Sequence, residues 1–219
     1  MDIERIKTVL RSLLDIVLPR KARTIRAENW TLYDLAVSPK IHDALGISIT
    51  TLLDYKNPAV EDCIRALKYD GSSHACSLLA ETLSDYLREE IAQAKSFSPR
   101  LILLVPIPLH KTRERERGFN QVESVLKKLP KEFLDGPLAT FTPNALARTR
   151  ETKQQTHLSR ALRLQNMSGA FAVPDTEIVR GAHIFLIDDV TTTGATLSEA
   201  TRVLERVGAE VSPLALARA

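Results

Sequence analysis

Cysteine is nearly absent. Cys63 and Cys76 are the only two in 219 residues, twelve positions lie between them, and no C-x-x-C pair occurs. That rules out a disulfide framework and a zinc ribbon. His74 lies close to Cys76, but the neighbourhood lacks the other ligands of a four-coordinate metal site, so the two thiols read as buried, neutral groups. Long apolar runs are lacking too. The longest, Leu101 to Leu109, has nine residues and contains two prolines, whereas crossing a bilayer takes roughly 20. Charges are scattered through the N-terminus (Asp2, Glu4, Arg5, Lys7, Arg11, Asp15) in place of a basic cap followed by an apolar block. A secretory leader and membrane insertion are not expected, and the expected location is the cytoplasm. Neither sign of charge dominates: 30 basic against 27 acidic residues leave a formal +3, too little to argue for nucleic acid from net charge alone. Internal repeats, a Gly-Lys-Ser/Thr phosphate loop and a G-x-G-x-x-G dinucleotide turn are all missing.

What is present reads as one α/β domain with an appendage. Apolar residues make up 44% and charged residues 26%, a globular composition. Ile3, Ile6, Leu10, Leu13, Leu14 and Val17 predict an amphipathic helix that stops at Pro19, and residues 20–58 show no clear periodicity. After Pro58 a helical pattern (Val60, Ile64, Leu67) runs to Asp70-Gly71, and a longer one (Leu79, Leu83, Tyr86, Leu87, Ile91) follows. Leu101 to Val105 predicts a strand covered on both faces, then a charged loop, then a helix with Val122, Val125, Leu126 and Leu129. Weaker strands are expected at Leu138 to Phe141 and Gly169 to Val173, and the clearest one at His183 to Ile187. A helix carrying Leu197, Ala200, Val203, Leu204 and Val207 should end at Gly208, before a last strand near Glu210 to Ala215. This alternation predicts an α/β fold with a mostly parallel sheet flanked by helices. Residues 1–58 are expected to form a mostly helical and irregular N-terminal segment, and residues 59–219 the main domain.

The stretch from His183 to Thr196 carries the chemistry. An apolar strand ends in Asp188 and Asp189, and a small-residue loop then opens a helix. Thr192, Thr193, Gly194, Ala195 and Thr196 let backbone N–H groups approach an anion, add hydroxyls and sit at a helix N-terminus, which suits a phosphomonoester. Two acids at the carboxyl end of a strand can accept hydrogen bonds from sugar hydroxyls or hold Mg²⁺ through water. An ordinary strand-to-helix turn would need only one capping residue.

These residues resemble the signature with which type I phosphoribosyltransferases bind 5-phosphoribosyl 1-pyrophosphate (PRPP). Val105-Pro-Ile-Pro-Leu-His110 and Arg117-Gly-Phe-Asn-Gln121 look like the ComF/GntX-like branch of that family, as does the later order Leu146-Ala-Arg-Thr-Arg150, Gln154, Leu158-Ser-Arg160, Arg163, Asn166 and Gly169-Ala-Phe171. The resemblance covers about residues 60–219. It implies a type I phosphoribosyltransferase-like sheet with a small N-terminal hood, and PRPP as substrate or ligand. Asp188 and Asp189 would be catalytic, holding the ribose and, through water, Mg. Residues 192–196 would hold the 5′-phosphate, and Pro106, Ile107, Arg117 and Gly118 the pyrophosphate. Arg148, Arg150 and Lys153 are basic candidates on a flexible loop whose composition suits either a flap over an anionic substrate or a single-stranded DNA contact. Members of this branch commonly begin with a cysteine-rich zinc finger. Here Leu18-Pro-Arg-Lys-Ala-Arg23 holds that place without cysteine, so zinc is not predicted. Two functions stay open: phosphoribosyl transfer, and a non-catalytic PRPP or nucleotide sensor or DNA-uptake accessory working with a competence-type protein partner. A homodimer is left open, and the acceptor is not legible.

Overall fold

The computed structural model describes residues 22–149 and 169–219. The expected first helix, ending at Pro19, lies outside the described residues, as do Arg150 and Lys153. Chain order begins with α1 (Ala22–Ala27), a 3₁₀ turn (Leu32–Leu35), β1 (Lys40–Ala44) and β2 (Ile47–Asp54), followed by α2 (Pro58–Asp70) and α3 (Ser73–Phe97). Next come β3 (Ile102–Pro106), α4 (Lys111–Arg117), α5 (Gln121–Leu126), β4 (Thr140–Phe141), β5 (Ala147–Arg148), β6 (Phe171–Ala172) and α6 (Thr176–Val179). The chain closes with β7 (His183–Thr191), α7 (Ala195–Glu205) and β8 (Glu210–Arg218).

Six strands form one sheet in the order β1-β2-β8-β7-β3-β4, parallel except where β1 meets β2. One face packs Leu52, Leu104, Phe185, Ile187 and Leu216 against Ile64 and Leu67 of α2 and Leu79, Leu83 and Leu87 of α3. The other packs Ile49, Val105, Ile184, Leu186 and Ala215 against Leu197, Ala200 and Leu204 of α7. Cover on both faces is why β3 and the first half of β7 read as unbroken apolar runs. Helix starts follow local chemistry. The Asn57 side chain accepts from Ala59 N (2.8 Å) with Pro58 behind it, and Ser72 accepts from Ala75 N (3.3 Å). Gly71, at φ 60°, terminates α2.

The largest difference from the sequence reading lies before Pro58. Among the described residues there, 40–54 form a hairpin, and β2 joins the main sheet beside β8. The sheet therefore crosses the expected boundary at residue 58. The hairpin turn is Leu45-Gly46, with φ of 56° and 83°, the geometry of a tight primed turn. Leu45 O accepts from Arg202 Nη2 (2.7 Å) and Ser198 Oγ (3.4 Å), which pins the turn to α7. Arg26 makes an ion pair with Asp62 (3.0 Å), and Trp30 Nε1 donates to the same carboxylate (3.3 Å). Arg26 and Trp30 therefore dock α1 and the turn after it on α2.

Other differences are smaller. Residues 111–117, expected to be a charged loop, are helical: His110 Nδ1 accepts from Thr112 N (3.3 Å), and Gly118 closes the C-terminus at φ 79°. The strand expected at Gly169 to Val173 shortens to β6 and pairs only with β5, in a separate two-stranded ribbon. β7 runs four residues further than expected, to Thr191, so both acids lie within the strand. All described peptide bonds are trans, those of Pro106 and Pro108 included. No described helix is long and apolar enough to cross a membrane.

Candidate functional site

Parallel sheets bind ligands beyond the carboxyl ends of their strands, and here β3 and β7 end at a cavity of about 250 Å³. Asp188 and Asp189 both line it, together with Ile107, Arg117, Arg148, Thr192 and Thr196. The cavity thus gathers members of all four expected residue groups. Pro106, Gly118, Thr193, Gly194 and Ala195 are not among its lining residues. Pro106 is the last residue of β3, and the others shape the backbone beside the cavity.

Adjacent residues on a strand point to opposite faces, so the two acids part company. Asp189 turns to the α2 side and is 6% exposed. Its Oδ1 receives Lys68 Nζ (3.0 Å) and Val190 N (2.6 Å), and its Oδ2 receives Gln121 Nε2 (2.7 Å). Both of its oxygens are committed, as a buried carboxylate requires. Asp188 is half-buried. Its Oδ1 accepts from Asp189 N (2.9 Å), and among the described residues no hydrogen bond reaches its other oxygen. Burial, reinforced by the neighbouring Asp189 charge, pushes the Asp188 carboxyl up to about 7, against the pull of Lys68 and Arg148.

The loop after β7 leads straight into the N-terminus of α7. Gly194 caps α7 at φ 76° and is buried, with no side chain capping the helix. A helix N-terminus of this kind presents N–H groups and the positive end of the helix dipole. Thr193 Oγ1 is buried and has no partner among the described residues. A Cβ on Gly194 would come within 2.7 Å of Ala44 Cβ and Ile49 Cδ1. Close approach of the hairpin therefore adds a second demand for glycine beyond the backbone angle.

Opposite the acids stand cations. Arg117 lies over the Tyr69 ring (5.8 Å) and Arg148 over the Phe171 ring (5.5 Å). Burial first, and the charge of Arg113 second, push Arg148 down to about 10, partly offset by Asp188; it keeps its charge at neutral pH. Asn120 braces this side of the site, capping α5 and donating Nδ2 to Ile107 O (3.0 Å). Lys68, Tyr69 and Arg113 also line the cavity. Sequence reasoning missed Lys68 and Tyr69 as functional groups and left Arg113 open between a pyrophosphate contact and a solvated charged loop. The only sign of Lys68 was a cation in the last turn before Asp70-Gly71, which reads equally well as a helix-dipole partner.

Among the described residues no three His, Cys, Asp or Glu side chains converge. A metal here would be held by one or two carboxylates, water and ligand phosphates, as Mg²⁺ prefers. The two cysteines lie elsewhere. Cys63 is pushed up to about 12 and Cys76 is also raised, both by burial, so they are neutral thiols.

The family model described as the phosphoribosyl transferase domain matches residues 115–217. Competence protein ComFC of Streptococcus pneumoniae is 31% identical over 168 residues, covering 77% of this chain and 66% of that protein. DNA utilization protein YhgH of Escherichia coli is 32% identical over 163 residues, covering 74% of this chain and 67% of that one. The chain thus spans about two thirds of the length of these relatives. Among solved structures, an orotate phosphoribosyltransferase of Mycobacterium tuberculosis aligns over 88% of this chain and 81% of that one, at 14% identity and a TM-score of 0.34. With the signature residues gathered at one cavity and two relatives above 30% identity, the chain belongs to the ComF-like family of proteins with the type I phosphoribosyltransferase fold.

Proposed function

We propose that this cavity binds PRPP with Mg²⁺ and that the protein transfers the 5-phosphoribosyl group. The observation that carries this reading is one cavity holding an acid with an uncommitted oxygen, an uncapped helix N-terminus bearing threonines, and two arginines. Backbone N–H groups of residues 194–196, with the Thr192 and Thr196 side chains, would bind the 5′-phosphate. Asp188 would accept from a ribose hydroxyl or a metal-bound water, and Arg117 and Arg148 would draw charge off the departing pyrophosphate. Mg²⁺, when bound, supplies charge neutralisation on the pyrophosphate oxygens. An acceptor nucleophile then forms a bond to C1 of the ribose as the C1–O bond to pyrophosphate breaks, with the electron pair leaving on pyrophosphate. Such a step asks the protein for positioning and charge stabilisation more than for covalent chemistry.

A second reading, a PRPP or nucleotide sensor that serves DNA uptake, is favoured by the names of the two relatives and by a cavity lining that, among the described residues, holds no histidine or glutamate. Incubation with Mg²⁺, PRPP and a panel of nucleobases and amines separates the two. Pyrophosphate release that depends on one acceptor is the expected result. Saturable binding without turnover on any acceptor would instead establish the sensor.

A further inference from the structure

Lys68 lies outside the residues matched by the family model, yet among the described residues it is the one cation that forms an ion pair with either acid of the site. Its ammonium is 3.0 Å from Asp189 Oδ1, the side chain is 21% exposed, and it lines the cavity beside Asp188. Helix α2 fixes its position: Asn57 and Pro58 start the helix, Arg26 on Asp62 docks it to α1, and Gly71 stops it just beyond Lys68. From the other side Gln121 Nε2 holds Asp189 Oδ2, with the Asn120 cap setting the start of α5. The Gln121 amide orientation follows from this contact, because reversing it would turn Oε1 onto a carboxylate oxygen. As oriented, Oε1 is buried and meets no donor among the described residues, in a side chain that lines the cavity.

We propose that Lys68 is a resident counter-cation for the acidic pair. It occupies Asp189, leaves Asp188 as the carboxylate presented to metal waters and ribose, and lowers the metal requirement for binding a polyanion. The inference rests on the PRPP reading above and deepens it. Two unpaired carboxylates would repel the phosphates of PRPP in a half-buried site, where charges interact more strongly than in bulk water. A divalent cation would then be needed to offset both. With Lys68 in place and both acids ionised, the pair carries about one net negative charge, so part of that task is done before metal arrives. Gln121 acts with it as a positioning residue, fixing the second oxygen of Asp189 and offering Oε1 to a ligand hydroxyl.

The test compares wild type, Lys68→Met and Lys68→Arg by calorimetric titration with PRPP, in excess Mg²⁺ and in EDTA, with thermal melts to confirm folding. The ratio of the two dissociation constants should widen by about tenfold or more in Lys68→Met and return towards wild type in Lys68→Arg. A purely structural lysine would lower the melting temperature without moving the ratio, and an unchanged ratio overturns the inference. If wild type binds no PRPP under either condition, the PRPP reading falls, and titration with Mn²⁺ alone decides the inference separately. Lys68→Met binding Mn²⁺ about tenfold more tightly than wild type supports it; no measurable difference overturns it.

Discussion

Asp188→Asn is expected to abolish the proposed Mg-dependent PRPP binding and, in the ligand-free protein, to raise the melting temperature at pH 8. Both effects follow from one placement. The Asp188 carboxyl is pushed up to about 7 from an ordinary value of 3.8, chiefly by burial and next by Asp189. A carboxyl whose folded pKa is raised binds more protons folded than unfolded, so its contribution to stability falls as pH rises from about 4 to about 7. Above that range the folded protein carries the full penalty of a desolvated charge. Asparagine does not titrate, so the variant should lose this part of the decline. About 1 kcal/mol moves the melting temperature of a domain this size by ~2–4 °C, and a gain of that order at pH 8, vanishing near pH 4, is the expected result. Melts at the two pH values with matched PRPP titrations check it. A variant that is less stable at pH 8, or that binds PRPP like wild type, contradicts the assignment.

Gly194→Val should destroy the phosphate cradle. The residue sits at φ 76°, where a β-branched side chain is strained, and its Cβ would lie 2.7 Å from both Ala44 Cβ and Ile49 Cδ1. A left-handed backbone costs roughly 1–2 kcal/mol for an L-residue, and overpacking typically adds about 1–3 kcal/mol. The loop would have to move away from the hairpin and take the first-turn N–H groups of α7 with it. PRPP affinity should fall by at least about tenfold, with a melting temperature lower by ~5 °C or more. Gly181 provides the control, because it has φ 73° but nothing within 4 Å of the position a Cβ would take. Gly181→Val should therefore show the backbone strain alone, with PRPP binding retained. Equal binding by the two variants would remove the cradle from the account.

Much of the fold is legible because burial leaves its mark on pattern. Ile102–Pro106 and His183–Ile187 are apolar almost without a break, since helices cover both faces of the sheet, and α2, α3 and α7 carry apolar stripes bounded by Asn57, Ser72 and Gly208. The hairpin left no such mark. β1 is an edge strand with three of its five residues exposed, and its turn is Leu-Gly in place of the usual Asn-Gly or Asp-Gly. What holds that turn comes from α7, about 150 residues later, through Ser198 and Arg202. The Lys111–Arg117 segment was opaque for a different reason. A helix of charged residues has no apolar period to read, and only His110 and Gly118 bound it.

The site was legible as a set of residue types but not as a division of labour. Asp188 and Asp189 look equivalent in a sequence, and strand alternation alone separates them, one towards α7 and the other towards α2. Once they are separated, Lys68 and Gln121 commit Asp189, while Asp188 keeps an oxygen for ligand. Neither partner could be assigned beforehand, because each comes from a helix whose approach to β7 depends on how the whole sheet packs.

The most direct test of the central claim is calorimetric titration of the wild-type protein with PRPP, with and without Mg²⁺ and with ribose 5-phosphate as the control ligand. Saturable PRPP binding that Mg²⁺ strengthens is the expected result, with weaker binding of ribose 5-phosphate, which offers no pyrophosphate to Arg117 and Arg148. No PRPP binding under either condition would contradict it, leaving the signature as scaffold without its ligand.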